Sequence, residues 1–333
     1  MPFEIVHGDI TKIQADAIVN AANSALQRGG GVCGAIFSAA GAAELQAECN
    51  QVGHCDTGQA IITKGYKLPA KYIIHAVGPI WRGGGYEEER LLYDCYKNSL
   101  KLAKDFGCES IAFPLISSGI YGYPKEQALE VAERAIRDFL EDEDIQVQLV
   151  IFDRKTFPLN GAIHEAIENY LEENFLDEAS TYKKSDFLGQ ARMVMDESIS
   201  DMRGDFVKSA QRNLDDVVGV LEESFTERVL RMIDERGLTD AEVYKRANLD
   251  RRLFSKLRKG NGYQPSKGTA LALAVALELN LDDTVDLLKT AGYALSASNR
   301  ADVIIQFFIE EEFYDIFAIN DALFKYEEKL LGA

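Results

Sequence analysis

Apolar positions in the first half of the chain follow two alternating patterns, one typical of strands and the other of helices. Short apolar runs predict buried β-strands at 3–6, 17–20, 60–63, 72–76, 110–115 and 146–152. Between these runs, apolar residues recur at helical spacing over 33–40, 42–52, 88–106, 125–140 and 161–173. Strands that alternate with helices predict an α/β domain built around a largely buried sheet.

From residue 225 onward the pattern is helical only. It predicts helices at 225–235, 239–247, 250–259, 269–279, 284–291 and 301–308, then an aromatic-rich helical stretch to 331. Thr239 and Glu242 have the spacing of a capping box, and Gly260 has the place of a helix C-terminal glycine. We therefore expect an α/β domain at 1–175, a charged, partly helical linker at 176–225 and an all-α domain at 226–333.

Composition narrows the functional classes. The 333 residues carry a formal net charge of −18, which opposes non-specific binding to nucleic acid. There is no apolar run of about 20 residues and no basic, apolar leader at the start, so we expect a cytoplasmic protein without membrane contact. The five cysteines are irregularly spaced and predict reduced thiols, and we expect neither a metal nor a cofactor.

Two glycine-containing loops carry the candidate chemistry. Gly29, Gly30 and Gly31 precede a predicted helix, and a second loop, Ser117 to Tyr123, follows the strand predicted at 110–115. Unpaired amides and the helix dipole make a helix N-terminus a favourable place for an anion. Both loops follow strands and precede helices, so they can converge on one crevice. In a chain this acidic, we expect backbone amides rather than lysines to hold a phosphate there.

These loops, with further motifs, resemble those of the macrodomain, the ADP-ribose-binding fold. The matching segments are Gly8-Asp9-Ile10-Thr11, Asn20-Ala21-Ala22-Asn23, Gly29-Gly30-Gly31-Val32-Cys33-Gly34, Thr57-Gly58, Ile74-His75-Ala76-Val77-Gly78-Pro79 and Ser117-Ser118-Gly119-Ile120-Tyr121-Gly122-Tyr123-Pro124. They span nearly all of residues 1–172. The resemblance implies a three-layer α-β-α sandwich with a mixed six-stranded sheet, and ADP-ribose or a mono-ADP-ribosylated protein as the partner.

The resemblance also assigns roles to individual residues. It places Asp9 and Ile10 at the adenine, Asn23 at the distal ribose, and the amides of 118–122 around the diphosphate. The implied ligand-binding set is Asp9, Ile10, Ala22, Asn23, Gly30, Gly31, Val32, Cys33, Ser117, Ser118, Gly119, Ile120, Tyr121, Gly122, Tyr123 and Phe152. A turn-stabilising aspartate and a core phenylalanine are the structural alternatives for Asp9 and Phe152. We expect Asn20 to tie the loop backbone together and His75 to be buried and structural.

Cys33 departs from the pattern of the hydrolytic family members, which carry an aspartate at that place. A thiol is mostly neutral at pH 7 and accepts hydrogen bonds poorly. A thiolate base, a water oriented by a substrate phosphate, and a small buried filler all remain open for this position. Asn23 and Cys33 are the predicted catalytic residues.

Two functions follow from the resemblance. One is an enzyme that removes ester-linked mono-ADP-ribose from acidic residues of modified proteins or deacetylates O-acetyl-ADP-ribose. The other is a non-catalytic sensor of ADP-ribose that signals through the helical domain.

The helical domain resembles a phage-repressor-type helix-turn-helix. Its second and third helices start at 239 and 250, and the third would be the recognition helix. Residues 245–267 hold eight basic side chains against a single acidic one, a charge pattern expected for phosphate contact. The residues predicted to touch nucleic acid are Arg251, Arg252, Lys256, Arg258 and Lys259. The alternative is a basic face that meets an acidic protein surface, either a partner's or that of the chain's own macrodomain-like half.

Overall fold

A computed structural model describes residues 3–176, 223–260 and 262–332. Most of the segment expected to be a linker, 177–222, lies outside the described residues. The first part, residues 3–176, is called the α/β region below, and residues 223–332 are called the helical region. No helix among the described residues is both long and apolar enough to cross a membrane.

A six-stranded mixed sheet forms the centre of the α/β region, as the resemblance implied. Its strands are β1 Phe3–His7, β2 Ala17–Ala22, β3 Ala60–Lys64, β4 Tyr72–Val77, β5 Ser110–Pro114 and β6 Gln146–Ile151. The order across the sheet is β1-β6-β5-β2-β4-β3. Only the β3–β4 pair among these neighbours is antiparallel. The carboxyl ends of β2 and β5, which are adjacent, therefore point the same way and bring the loops that follow them together.

Helices cover both faces of this sheet and complete three layers. They are α1 Gly31–Ala40, α2 Ala42–Val52, α3 Glu88–Asp105, α4 Lys125–Asp142 and α5 Gly161–Asn174. On one face α1 and α2 bury apolar side chains such as Phe37 and Leu45 against the sheet. On the other face α3 and α4 bury Tyr96 and Ile136. Because both faces are covered, the strands read as nearly continuous apolar runs.

The helical region consists of short helices around one core. They are α6 Phe225–Glu235, α7 Asp240–Arg246, α8 Arg251–Lys259, α9 Lys267–Ala276, α10 Leu281–Thr290, α11 Arg300–Glu310 and α12 Ile316–Lys325. The predicted capping box is present: the Thr239 hydroxyl accepts from the Glu242 amide, and the Glu242 carboxylate accepts from the Thr239 amide. Helix α9 is buried along most of its length and forms the centre of this core.

The helical region packs against the α/β region. Phe3 of the edge strand β1 stacks on Phe317 of α12, with the ring centroids 5.1 Å apart. The Asn248 amide accepts a hydrogen bond from the Phe3 N–H and donates one to the Phe3 carbonyl, both 2.7 Å long. In turn, α5 buries Ile167 in the core of the helical region. The domain boundary at residue 175 stays a prediction.

Candidate ligand site

The loops after β2 and β5 meet in a crevice of about 250 Å³, called the loop crevice below. Its lining residues are Ala21, Ala22, Asn23, Gly29, Gly30, Gly31, Val32, Cys33, Gly78, Leu115, Ile116, Ser117, Gly119, Ile120 and Tyr121. Ten of the sixteen residues predicted to bind ligand are in this set. The lining contains no Asp, Glu, Lys, Arg or His side chain, so an anion placed here meets backbone amides and the N-terminus of α1.

Gly78 and Gly31 show why the lining is rich in glycine. A Cβ on Gly78 would lie 2.2 Å from the Ser117 Oγ and 2.6 Å from the Ile116 side chain. Gly31 has a φ of 59°, in the left-handed region that side chains rarely adopt. The two strand-end segments can approach each other this closely because no side chain intervenes at Gly78.

The six remaining predicted residues lie outside the lining of the loop crevice. Ser118 turns its hydroxyl to the Leu115 carbonyl, and Gly122 donates its amide to the Gly119 carbonyl within the turn. Tyr123 is only 3% exposed, and its ring packs 4.5 Å from that of Trp81, between centroids. It therefore belongs to the core in this structure, although the resemblance included it in the ligand-binding set. Asp9, Ile10 and Phe152 are the other three.

Asp9 and Phe152 follow adjacent strands, since His7 of β1 is paired with Ile151 of β6. The Asp9 Oδ1 accepts from both the amide and the hydroxyl of Thr11. These bonds lower the pKa of Asp9, so the carboxylate is charged at neutral pH, and its Oδ2 lies 3.9 Å from the Lys12 ammonium. Phe152 is 80% exposed, which excludes the core alternative for this residue. Ile10 is buried beneath the turn that Asp9 caps.

Asn23 is engaged with its own loop. Its Nδ2 donates to the Gln27 carbonyl at 2.7 Å, and its Oδ1 accepts from the Gln27 amide at 3.1 Å. A side-chain amide has two N–H groups and two lone pairs, so one of each is left for a ligand. The same side chain thus fixes the loop and keeps a donor and an acceptor for a ligand.

Asn20 does not tie the loop backbone as expected. It is fully buried and pairs in register with His75 of β4, so its Nδ2 lies 3.1 Å from the His75 Nδ1. The other ring nitrogen, Nε2, lies 3.0 Å from the Thr63 hydroxyl. Burial lowers the pKa of His75 to about 4, so the ring is neutral at pH 7, in keeping with its predicted structural role.

Cys33 lines the loop crevice at the first turn of α1 and is 5% exposed. Its Sγ accepts from the Gly29 amide at 3.4 Å and from the Asn20 Nδ2 at 3.7 Å. The sulfur therefore connects the glycine loop to the buried Asn20–His75 pair. Nearby, burial raises the pKa of the Tyr121 hydroxyl, and a thiolate at Cys33 would raise it further.

The predicted nucleic-acid residues share the exposed face of α8. Arg258 makes two bonds to the Asp240 carboxylate, at 2.6 and 3.1 Å, and Arg251 lies 3.9 Å from Asp144 of the α/β region. Arg252, Lys256 and Lys259 are exposed and make no ion pair with the described residues. The basic face is thus partly neutralised within the chain, and the helix-turn-helix assignment stays a prediction.

Comparisons with known proteins agree with this arrangement. The family model of the Macro domain matches residues 19–132. A macro domain-containing protein of Chlorobaculum tepidum is 55% identical over 147 residues, which cover 44% of this chain and 84% of that protein. The chain belongs to the macro domain family.

Two further relatives have more specific names. The O-acetyl-ADP-ribose deacetylase of Salmonella typhimurium is 51% identical over 159 residues, which cover 46% of this chain and 88% of that protein. Among solved structures, the Oceanobacillus iheyensis macrodomain with ADP is 46% identical and covers 45% of this chain and 83% of its own, with a TM-score of 0.44.

Proposed function

We propose that the loop crevice binds ADP-ribose and that the chain hydrolyses an ester of its distal ribose. The observation that carries this proposal is the convergence of the 29–33 and 117–121 segments on one uncharged, amide-lined crevice. An oriented set of N–H groups at the start of α1 suits a diphosphate, which needs donors but no lysine. The sequence relationship to the Salmonella deacetylase supports the same ligand class.

The strand order supports a direction for the bound ligand. Asp9 and Phe152 follow β1 and β6 at one side of the sheet, so we place the adenine there, with the Asp9 Oδ2 accepting from the exocyclic amino group. Asn23 follows β2, toward the other side, and we place the distal ribose beside it. Phe152 and Ile120 are 80% and 84% exposed, and a bound nucleotide would cover part of both side chains.

The proposed reaction is ester hydrolysis. Water adds to the acyl carbon, the bond between that carbon and the ribose oxygen breaks, the ribose oxygen takes up a proton, and the carboxylic acid leaves. The acyl group is acetate in O-acetyl-ADP-ribose or an acidic side chain of a modified protein. Asn23 would hold the ribose, and Cys33 would border the water. Positioning and the preorganised amides would supply most of the rate.

A second candidate function is a sensor in which the helical region responds to the nucleotide. The segment after Phe152 is held by α12: Phe157 packs against Phe324 at 4.8 Å between centroids, and the Lys325 ammonium donates to the Phe157 carbonyl. A ligand that moves Phe152 would therefore act on a segment anchored to the helical region. DNA or an acidic protein surface would be the partner of α8 in this function.

Calorimetry with ADP-ribose and release assays with O-acetyl-ADP-ribose and a glutamate-linked mono-ADP-ribosylated protein test both functions. Asn23→Ala should abolish release, whereas Asn174→Ala, an exposed asparagine of α5, serves as the control. Release that depends on Asn23 supports the enzyme, and tight binding without release supports the sensor. Absence of ADP-ribose binding would contradict both.

Duplex DNA provides the separate test of α8. Binding at about 50 mM salt that falls steeply with added salt is expected of a phosphate-contacting face. Charge reversal at Lys256 should weaken it across sequences, since a phosphate contact is insensitive to base identity. No binding at about 50 mM salt would contradict the DNA assignment.

A further inference from the structure

A second cavity, called the side cavity below, opens beside the loop crevice. Its volume is about 240 Å³, and it shares Gly78 and Tyr121 with the crevice. Ser24, the residue after Asn23, also lines it. The side cavity therefore continues the crevice at the Asn23 end, where the proposed function places the distal ribose.

One buried carboxylate organises the wall of the side cavity. Glu88, at the start of α3, is 2% exposed and accepts hydrogen bonds from the backbone amides of Arg82, Gly84 and Tyr86. Burial by itself would raise the pKa of Glu88, but the amides of this loop outweigh it and lower the pKa, so the group is a carboxylate at neutral pH. The 82–86 loop is thus held in a defined shape rather than left as an open surface turn.

Arg82 stands at this wall as a cation without a carboxylate partner among the described residues. The acids near it are already engaged: Glu87 pairs with Arg90, and Glu89 pairs with Arg134. Within the part of the chain that the structure describes, the Arg82 guanidinium has only the Tyr86 ring as an interaction partner, 5.8 Å from the ring centroid. The chain has a net charge of −18, yet this arginine beside the proposed reaction centre pairs with no carboxylate of residues 3–176, 223–260 or 262–332. Its guanidinium can therefore pair with a carboxylate of a substrate.

The rest of the lining fits a short peptide. Thr57 and Ser24 offer hydroxyl groups, and Pro79 and Ile80 offer an apolar surface, with Ile80 52% exposed. Guanidinium groups recognise carboxylates by paired, charge-assisted hydrogen bonds. A protein modified on an acidic side chain would present further carboxylates wherever acidic residues neighbour the modified one.

We propose that the side cavity receives the protein segment that carries ADP-ribose, and that Arg82 pairs with a carboxylate next to the modified residue. This inference rests on the proposed function, and it names the substrate: a mono-ADP-ribosylated protein with an acidic sequence around the linkage. O-acetyl-ADP-ribose, whose acyl group is only two carbons long, would occupy the loop crevice without reaching Arg82.

The test compares two peptides that carry ADP-ribose on one glutamate, flanked by aspartates in one and by asparagines in the other. For the native chain, we expect a kcat/KM about tenfold higher on the acidic peptide. Arg82→Ala should remove this preference, and Arg82→Glu should reverse it. Arg82 contacts Glu88 through its backbone amide, so these variants keep the loop in place. Lys101→Glu, at an exposed lysine of α3, controls for the change in net charge.

Two readouts separate this inference from the proposed function. ADP-ribose affinity and O-acetyl-ADP-ribose turnover should stay within about twofold in all Arg82 variants. If the native chain releases nothing from any substrate, the hydrolase is contradicted, and the peptide preference is then measured as calorimetric affinity. The side-cavity assignment would be overturned if the native chain, like Arg82→Ala, used the two peptides equally or bound them with equal affinity. A parallel loss of affinity for free ADP-ribose in the Arg82 variants would also overturn the assignment, since Arg82 would then bind the nucleotide itself.

Discussion

The carboxyl groups of Glu133 and Asp321 face each other where α4 of the α/β region meets α12 of the helical region. The Glu133 Oε1 and the Asp321 Oδ1 are buried, and neither has a hydrogen-bond donor among the described residues. Two carboxylates cannot hydrogen-bond to each other, so one proton must be shared between them. The contact between the two regions therefore includes a titrating pair.

Burial and nearby charges raise the pKa values of both carboxyl groups. Burial is the main cause that raises the pKa of Glu133 to about 7, and burial with the neighbouring Glu133 raises that of Asp321 well above its usual range. The hydrogen bond to Asp321 and the charge of Arg137 lower the pKa of Glu133. The charges of Asp315, which caps α12, and of Glu130 in α4 raise it. Arg137 is itself held by the Asp315 carboxylate, at 3.0 and 3.1 Å.

Stability should fall as this pair ionises. An unfolded glutamate loses its proton near pH 4.5, but the folded Glu133 keeps it to about pH 7. The stability that the raised pKa of Glu133 contributes is therefore fully present below about pH 4.5 and is lost as pH rises through 7. Glu133→Gln, whose amide donates to Asp321 at every pH, should be more stable than the native chain at pH 8, by on the order of 2 kcal/mol.

Denaturant unfolding at pH 5 and pH 8 measures this difference. The native chain should lose stability relative to Glu133→Gln between the two values, whereas Glu126→Gln, at an exposed glutamate of the same helix, should follow the native chain. The same pH dependence in Glu133→Gln and in the native chain would show that no proton is shared.

Asn248 should hold the edge of the sheet to the helical region. It covers the free N–H and C=O of Phe3 on the edge strand, and its φ of 53° is one that glycine adopts without strain. Asn248→Gly therefore removes the two hydrogen bonds and little else. We expect a loss of about 2 kcal/mol and faster hydrogen exchange at the amides of β1.

Asn320 provides the matched control. Its amide makes the same pair of bonds to the backbone of Leu331, at 2.8 and 3.0 Å, entirely within the helical region. Asn320→Ala should cost a similar free energy without changing exchange in β1. Protection of β1 that is unchanged in Asn248→Gly would mean that its pairing with β6 and the packing of Phe3 hold the strand without Asn248.

Gly78 should be required for the shape of both cavities. Its substitution by alanine would place a methyl group against the Ser117 Oγ, at the 2.2 Å given above, so the loop after β5 must shift. We expect ADP-ribose affinity to fall by at least about tenfold, about 1.4 kcal/mol. Gly85→Ala, where an added Cβ meets nothing within 4 Å, should bind as the native chain does. An unchanged affinity in Gly78→Ala would place the nucleotide elsewhere.

The strands and helices could be predicted from the sequence because they depend on the spacing of apolar residues and on capping residues near each helix end. Each predicted strand and helix of the α/β region overlaps an observed one, and the Thr239–Glu242 capping box is present as written in the sequence. The two glycine loops could be assigned to one crevice because both follow parallel strands.

Contacts between distant segments could not be predicted in this way. Asn20 meets His75 because of the register of β2 against β4, and no local signal encodes that register. Asn248 and Phe3 are 245 positions apart, and Glu133 and Asp321 each read as a solvated acid on an amphipathic helix. The second function of Asn23, fixing its own loop through Gln27, likewise depends on a loop conformation that the residue types do not specify.

The role of Cys33 can be decided with three substitutions. Its sulfur accepts from the Gly29 amide, and this contact orders the glycine loop at the place where the attacking water would stand. Cys33→Ala should lower the rate of ester hydrolysis about a hundredfold while ADP-ribose affinity stays within about threefold.

Serine and aspartate at this position separate positioning from base catalysis. A serine hydroxyl can accept from Gly29 but does not ionise near neutral pH, so a positioning role predicts turnover within about fivefold of native in Cys33→Ser. A Cys33→Ser variant as slow as Cys33→Ala would instead identify the thiolate as the base. If the native chain is inactive and Cys33→Asp gains activity, the native protein is better described as a sensor. Its glycine loop would then lack only the aspartate that hydrolytic family members carry.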